Sequence, residues 1–360
     1  ENPASNDWYL VFGTGPHGSD ALSSGASDQD GKLKMLNLTS LVSSGSVALT
    51  TKETGVSESS IGDLHTVDWD RDLADDIVYF GTAGASSGEL HRLKLDSTLT
   101  SSTVNSLLDV GRPIVAAPMT ALGGDGKRWV MVGTGRLHVA ADNDITDQNY
   151  FYSVYEPKEN DNGYLYTGTI TTNDLEDTTD IRIFTNGQIK NTSGGTVTIN
   201  GDQIDNMTDM KNAVAKHGDG WYVKFDADGS TASGRATHQA TLDPANRGFM
   251  LFTEYVPPGG ICEIEGFSYL WELSFEAGIS GDFAPLGFDD LVAAITDING
   301  DTFDAADPKL NIGAGQASQP SFLSNSNAVV NTSTGAVQIV NVNKGLVKYG
   351  RQSWRQIDMS

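Results

Sequence analysis

With 360 residues, the chain can hold one large all-β domain or two ordinary ones, and its 38% hydrophobic content is enough for a real core. Forty-seven acidic against 23 basic residues give a formal charge of −24, which excludes nucleic acid or an anionic membrane surface as main partner and favours cations. The lone Cys262 excludes an intrachain disulfide framework and a cysteine zinc cluster; it reads as a small buried hydrophobe or, less favoured, as a thiol whose partner lies on another chain.

No run approaches the roughly 18–20 apolar residues of a spanning helix. The chain opens at Glu1 with no basic-then-apolar leader, and is read as a processed or truncated piece of a longer protein. Forty glycines punctuate short β-branched and aromatic runs, an all-β signature.

Those runs repeat a loose unit: an apolar strand ending in Phe/Val-Gly-Thr, a loop, then Gly-x-Leu with alternating apolar residues. The copies are 8–15 with 31–36, 77–84 with 88–93, 129–135 with 151–155, 248–253 with 268–273, and 328–332 with 335–340. A sandwich would account for the strands but not for the repeated phrase. The expected fold is a modified β-propeller of about 5–7 blades across 1–360. Residues 157–215 break the rhythm with Thr-rich segments and are read as a rim insertion. Helical spacing is confined to 206–216 and 288–295. Trp8, Trp129, Trp221, Trp271 and Trp354 lie in apolar runs and are expected in the core.

The sharpest chemical signal is the segment 67–79. Asp68, Asp70 and Asp72 alternate, Asp76 follows, and the carbonyl of Ala74 can add an oxygen. Calcium takes six to eight oxygens at about 2.3–2.6 Å, mostly from carboxylates and carbonyls. Leu73 stands where an EF-hand has glycine, and a strand follows rather than a helix, so this is a calcium loop in a β-hairpin. Trp69, set between ligands, should pack outside the loop. The rival reading is a solvated acidic turn. A second candidate is Asp297, Asn299, Asp301, Phe303 and Asp304, again spaced Asp-x-Asn-x-Asp. Asp226-Ala227-Asp228-Gly229 reads as a plain turn. Gly84-Ala85-Ser86-Ser87-Gly88 has the nucleophile-elbow spacing, yet strands flank it on both sides, so it reads as a hairpin loop. The six histidines form no zinc-type pair, and His65 reads as a strand residue.

Several of these phrases resemble the PilY family of type IV pilus tip proteins. Residues 67–95, with the acidic loop, Val78-Tyr79-Phe80-Gly81 and Leu90-His91-Arg92-Leu93, are similar to the family's calcium-binding blade. In order along the chain, Pro113-Ile114-Val115-Ala116-Ala117-Pro118, residues 129–135, residues 142–155, Gly220-Trp221-Tyr222-Val223, the 252–266 stretch with Cys262, and Gly350-Arg351-Gln352-Ser353-Trp354-Arg355-Gln356 resemble family motifs. Gly234-Arg235-Ala236 replaces the family's Gly-Glu-Arg, and there is no Arg-Gly-Asp.

The resemblance implies an extracellular Ca2+-binding propeller at the pilus tip, with no enzymatic activity. It would support assembly with the minor pilins, oppose retraction and contact surfaces. Its partners would be the minor pilins, a surface or host ligand, and its own missing N-terminal region or another chain, but neither nucleic acid nor a membrane span. Two rivals share the architecture. A quinoprotein-like propeller enzyme would usually need vicinal cysteines. An integrin-like calcium propeller would serve protein binding alone.

Overall fold

Each repeat of the apolar phrase folds as an antiparallel strand pair. The computed structural model describes residues 7–342 apart from 24, 26, 86, 96–101, 145, 161–162, 165–167, 226–232, 245–247, 259–264, 282–285, 287–293, 297–298 and 325–326. The five pairs are Tyr9–Gly13 with Lys32–Asn37, Ile77–Ala83 with Glu89–Lys94, Arg128–Gly133 with Tyr150–Tyr155, Phe249–Val256 with Phe267–Ser274, and Asn327–Asn331 with Val337–Asn341. Each pair is the centre of a separate sheet of three to five strands. Successive sheets stand face against face as blades, which makes the protein an all-β propeller-type fold.

The packing follows from strand alternation. In the second blade, Ile77 and Tyr79 enter the cluster shared with the third blade, while Val78 and Phe80 enter the one shared with the first. In the third, Val130 and Val132 face the second blade, and Trp129 and Met131 face the fourth. In the fourth, Met250 and Phe252 turn one way and Leu251 the other, towards Ala328 and Val330 of the fifth. A strand covered on both faces reads as a largely apolar run rather than an alternating one, and all seven residues of Ile77–Ala83 are buried.

Among the described residues, the end blades are covered on one face only. Trp8, Leu10 and Phe12 are 60%, 49% and 41% exposed, while Tyr9 and Val11 between them pack inward. Trp129, Trp221 and Trp271 are core residues, but Trp8 is not, because among the described residues no further sheet lies over its face; Trp354 lies outside the described residues. Val337 and Ile339 are similarly exposed on the fifth blade.

The segment after the third blade's central pair ties the outer rim together. Ile170–Thr171 pairs with the outer strand of the second blade and Glu176–Asp177 with that of the third, both in parallel. Two small hairpins follow, then the helix Met207–His217. Asn206 caps it, accepting the N–H of Thr208 and of Asp209. The helix expected over 206–216 is thus present. The one expected over 288–295 lies mostly outside the described residues; its last two, Ala294 and Ile295, belong to the strand Ala294–Thr296, paired with Thr302–Asp304 across a corner at Gly300. A capped helix at Leu38–Ser44 has only Leu38, Leu41 and Val42 as an apolar stripe and was not legible in advance.

One buried acid stands out in the fourth blade. Glu272 is fully buried, and neither carboxylate oxygen has a hydrogen-bond partner among the described residues. Burial, with the charge of Asp243 adding to it, pushes Glu272 up to about 8. The fold therefore holds its neutral form. The stability this contributes is complete below the ordinary Glu value of 4.5 and is lost as pH rises towards about 8. Glu272→Gln should melt higher than the parent at pH 8 and show little advantage at pH 5, measured by calorimetry. An equal difference at both pH values would contradict the assignment.

Candidate metal centre

The acidic segment forms the corner between the second blade's two inner strands, Ser60–Val67 and Ile77–Ala83. Val67 pairs with Ile77, and the Asp76 N–H donates to the Val67 carbonyl at 2.8 Å, so residues 68–76 form the loop. The loop is held by its own carboxylates. Asp68 accepts the N–H groups of Arg71 and Leu73 at 2.6 and 2.9 Å. Asp76 accepts those of Trp69 and Asp70 at 2.7 and 3.3 Å, and Asp70 accepts that of Asp72 at 3.1 Å.

These bonds gather oxygens in one place. Ligand oxygens of Asp68, Asp70 and Asp76 lie within 4.8 Å of one another, so the three could hold a metal ion. Asp72 stands outside that group, and its Oδ1 accepts the Ala74 N–H at 2.9 Å. Asp70 sits above the usual carboxylate range. The Asp72 N–H pulls it down, but desolvation and the charges of Asp76, Asp72 and Asp68 together outweigh that bond. A hard cation would relieve this repulsion, and an all-oxygen donor set suits one.

The backbone of the loop is also strained. Arg71 and Leu73 have φ of +64° and +76°, a region that costs a non-glycine residue roughly 1–2 kcal/mol. Leu73 is 88% exposed, so its side chain returns nothing through packing.

In the second candidate loop, Asp297 lies outside the described residues. Asn299 and Asp301 are exposed, and Phe303 and Asp304 belong to the strand Thr302–Asp304. Its described residues form no acidic cluster of the kind seen at Asp68, Asp70 and Asp76. Ser86, Cys262 and Asp226–Asp228 also lie outside the described residues. Gly84 and Gly88 flank a strand-to-strand turn.

Beneath the acidic corner runs a buried polar chain that the sequence did not reveal. Trp69 is half-buried against the cluster between the second and third blades, and its Nε1 donates to the Tyr79 hydroxyl at 3.4 Å. Tyr79 donates to Glu156 Oε1 at 2.7 Å, and Arg92 Nη1 donates to Glu156 Oε2 at 3.0 Å. Arg92 and Glu156 are both fully buried, and Arg92 also reaches the Gly168 carbonyl at 2.8 Å. Burial raises the Glu156 carboxyl, against the downward pull of Arg92, the Tyr79 hydrogen bond and Arg128.

A second buried group joins four blades. Arg136 Nε donates to Asp142 Oδ1 at 2.9 Å, and Arg136 Nη1 donates to the carbonyls of Gly25 at 3.0 Å and Gly84 at 2.5 Å. Arg235, from the segment entering the fourth blade, donates to the carbonyls of Arg136 and Asp142. Burial lowers Arg235 to about 10, although Asp142 opposes the shift. The Gly-x-Ser-x-Gly turn thus supplies a structural acceptor through Gly84.

Two outcomes are expected. Leu73→Gly should raise stability by up to about 1 kcal/mol in a denaturant titration, because glycine takes a positive φ freely. No gain would mean that the corner is not strained. Arg92→Met should lower stability by about 3–5 kcal/mol, and adding Glu156→Gln should recover part of that loss. Purely additive losses would deny the coupling.

No protein-family profile and no curated protein matches the sequence. Among solved structures, the crystal structure of the Pseudomonas aeruginosa PilY1 C-terminal domain superposes with a TM-score of 0.59 at 16% identity. The match covers 93% of this chain and 70% of that one. The motifs ordered along the sequence and the arrangement of the blades therefore lead to one architecture: in fold, the chain is a propeller of the PilY1 C-terminal-domain type.

Proposed function

We propose that this chain is the extracellular, calcium-binding propeller of a type IV pilus tip-associated protein, an assembly and adhesion module rather than an enzyme. The observation that carries this reading is the Asp68, Asp70 and Asp76 cluster, set at a blade corner of a fold shared with a pilus protein's C-terminal domain. Calcium fits better than magnesium because the corner is irregular and exposed and offers only oxygens. Magnesium demands near-ideal octahedral geometry and dehydrates reluctantly. Asp72 and the Ala74 carbonyl, on the same loop, would be the further donors for a calcium shell.

Bound calcium would supply positive charge at a point where carboxylates repel. The chain's own residues do the rest: Asp68 and Asp76 fix the loop backbone, and Trp69 rests the corner on Tyr79 and Glu156. Occupancy of the corner would thus stiffen the second blade, letting calcium set how firmly the propeller engages the minor pilins, opposes retraction and contacts a surface. The net charge of −24 agrees with a calcium-rich exterior, where cations reduce self-repulsion.

Millimolar calcium should raise the melting temperature, and Asp68→Ala combined with Asp76→Ala should abolish the rise. A melting curve indifferent to calcium and to chelator would remove the cation from the reading. In a piliated host, the same double variant should reduce surface pili, and blocking retraction should restore them. Unchanged piliation would remove the pilus role and leave the cation site standing.

A further inference from the structure

The five blades leave a cavity of about 310 Å³ where their inner strands meet. Its wall takes Pro16 from beyond the first blade's inner strand, Asp63 from the second, Val115 and His138 from the third, His238 from the segment entering the fourth, and Gln316 from the one entering the fifth. No single repeat predicts this site, because each contributes only one to three residues.

The wall is held in place by bonds that leave the Asp63 carboxylate unengaged and use one ring nitrogen of His238. The Asp63 N–H donates to the Val115 carbonyl at 2.9 Å, leaving the carboxylate free to face solvent. The neighbouring Gly62 allows this close approach, since a Cβ there would lie 2.6 Å from the Ile114 carbonyl oxygen. The His138 N–H donates to Asp142 Oδ2 at 2.7 Å, tying that segment to the buried Arg136 group. Gln316 Nε2 donates to Thr237 Oγ1 at 3.1 Å, and Thr237 Oγ1 lies 3.3 Å from His238 Nδ1.

The electrostatics are one-sided. Asp63 is the one residue of the lining that is charged at neutral pH, and it makes no ion pair among the described residues. Burial holds both imidazoles below their usual value. Asp63 pulls each upward, and at His138 Asp142 also pulls up while Arg136 pushes down. A neutral imidazole offers one lone-pair nitrogen. The cavity thus combines a carboxylate and two acceptor nitrogens with the apolar surfaces of Pro16, Ile61, Val115 and Leu137.

The geometry points to this cavity as a binding site for a primary ammonium on a short aliphatic chain, borne by a partner protein's lysine or by a free diamine. Asp63 supplies the opposing charge, His138 and His238 accept the remaining ammonium protons, and the apolar wall covers the methylenes. The volume lies at the small end of ligand pockets, which begin near about 300 Å³, and suits one side chain rather than a folded peptide. The inference is independent of the acidic corner and of the pilus reading.

Titration calorimetry at neutral pH, with calcium held constant, tests it using 1,5-diaminopentane, Nα-acetyl-lysine methylamide and the uncharged 1,5-pentanediol. Saturable one-to-one binding of the amines and none of the diol is expected. Asp63→Asn should weaken binding at least tenfold. Asp63 is exposed, so this variant should keep the parent's melting temperature. His138→Phe, which blocks the cavity while leaving Asp63 in place, should weaken binding as well. Asp70→Asn, at the acidic corner, should leave it unchanged. Tighter binding of the lysine derivative assigns a partner protein, and tighter binding of the diamine assigns a free amine. The proposal is overturned by absent saturation, by equal binding of the diol, or by Asp63→Asn and Asp70→Asn having the same effect.

Discussion

The structure rests on sheets packed face to face, each burying alternate residues against its two neighbours. Because side chains alternate along a strand, Val78 and Phe80 serve one interface while Ile77 and Tyr79 serve the next. Four apolar clusters run through the protein in this way, one between each consecutive pair of blades. The cluster between the third and fourth blades is the largest, since the rim hairpins and the helix Met207–His217 add Ile183, Ile199, Met210 and Val214 to it. Aromatic stacking reinforces it: the rings of Phe151 and Phe252, from adjacent blades, are 3.8 Å apart and nearly parallel.

Apolar packing alone leaves neighbouring sheets free to slide, and the buried ionic groups oppose that. Arg92 and Glu156 span the second and third blades, and Arg136 reaches from the third blade to the Gly25 and Gly84 carbonyls of the first and second. Burying such charges is costly unless geometry is good and the remaining protons are satisfied. Both arginines meet that condition by donating to backbone carbonyls as well as to a carboxylate. They tie adjacent blades to one another through directional bonds.

The two candidate sites occupy opposite environments. The acidic corner is an exposed loop whose carboxylates repel one another and whose backbone is strained at Arg71 and Leu73, so it gains from an added cation. The axial cavity has walls on strands and tied segments, with one carboxylate and two imidazoles already in position. The corner is held by hydrogen bonds within its own loop, whereas the cavity is formed by the packing of several blades. Trp69 connects the corner, and no other loop residue, to the buried chain of Tyr79, Glu156 and Arg92.

Local pattern was enough to determine the strand pairs, the all-β class and the hairpin that carries the acidic loop. Alternation, glycine corners and alternating carboxylates act over fewer than a dozen residues and are written directly in the chain. The axial cavity could not be read there, because Asp63, His138 and His238 are separated by long stretches and meet only when three blades pack. For the same reason Arg92 and Glu156, 64 positions apart, gave no sign of pairing. Trp8 shows the converse: its apolar run predicted burial, but whether a strand face is covered depends on a neighbouring sheet, and among the described residues none covers that face. Residue type and spacing settled what each strand can bury, and tertiary packing decided which distant polar groups share a site.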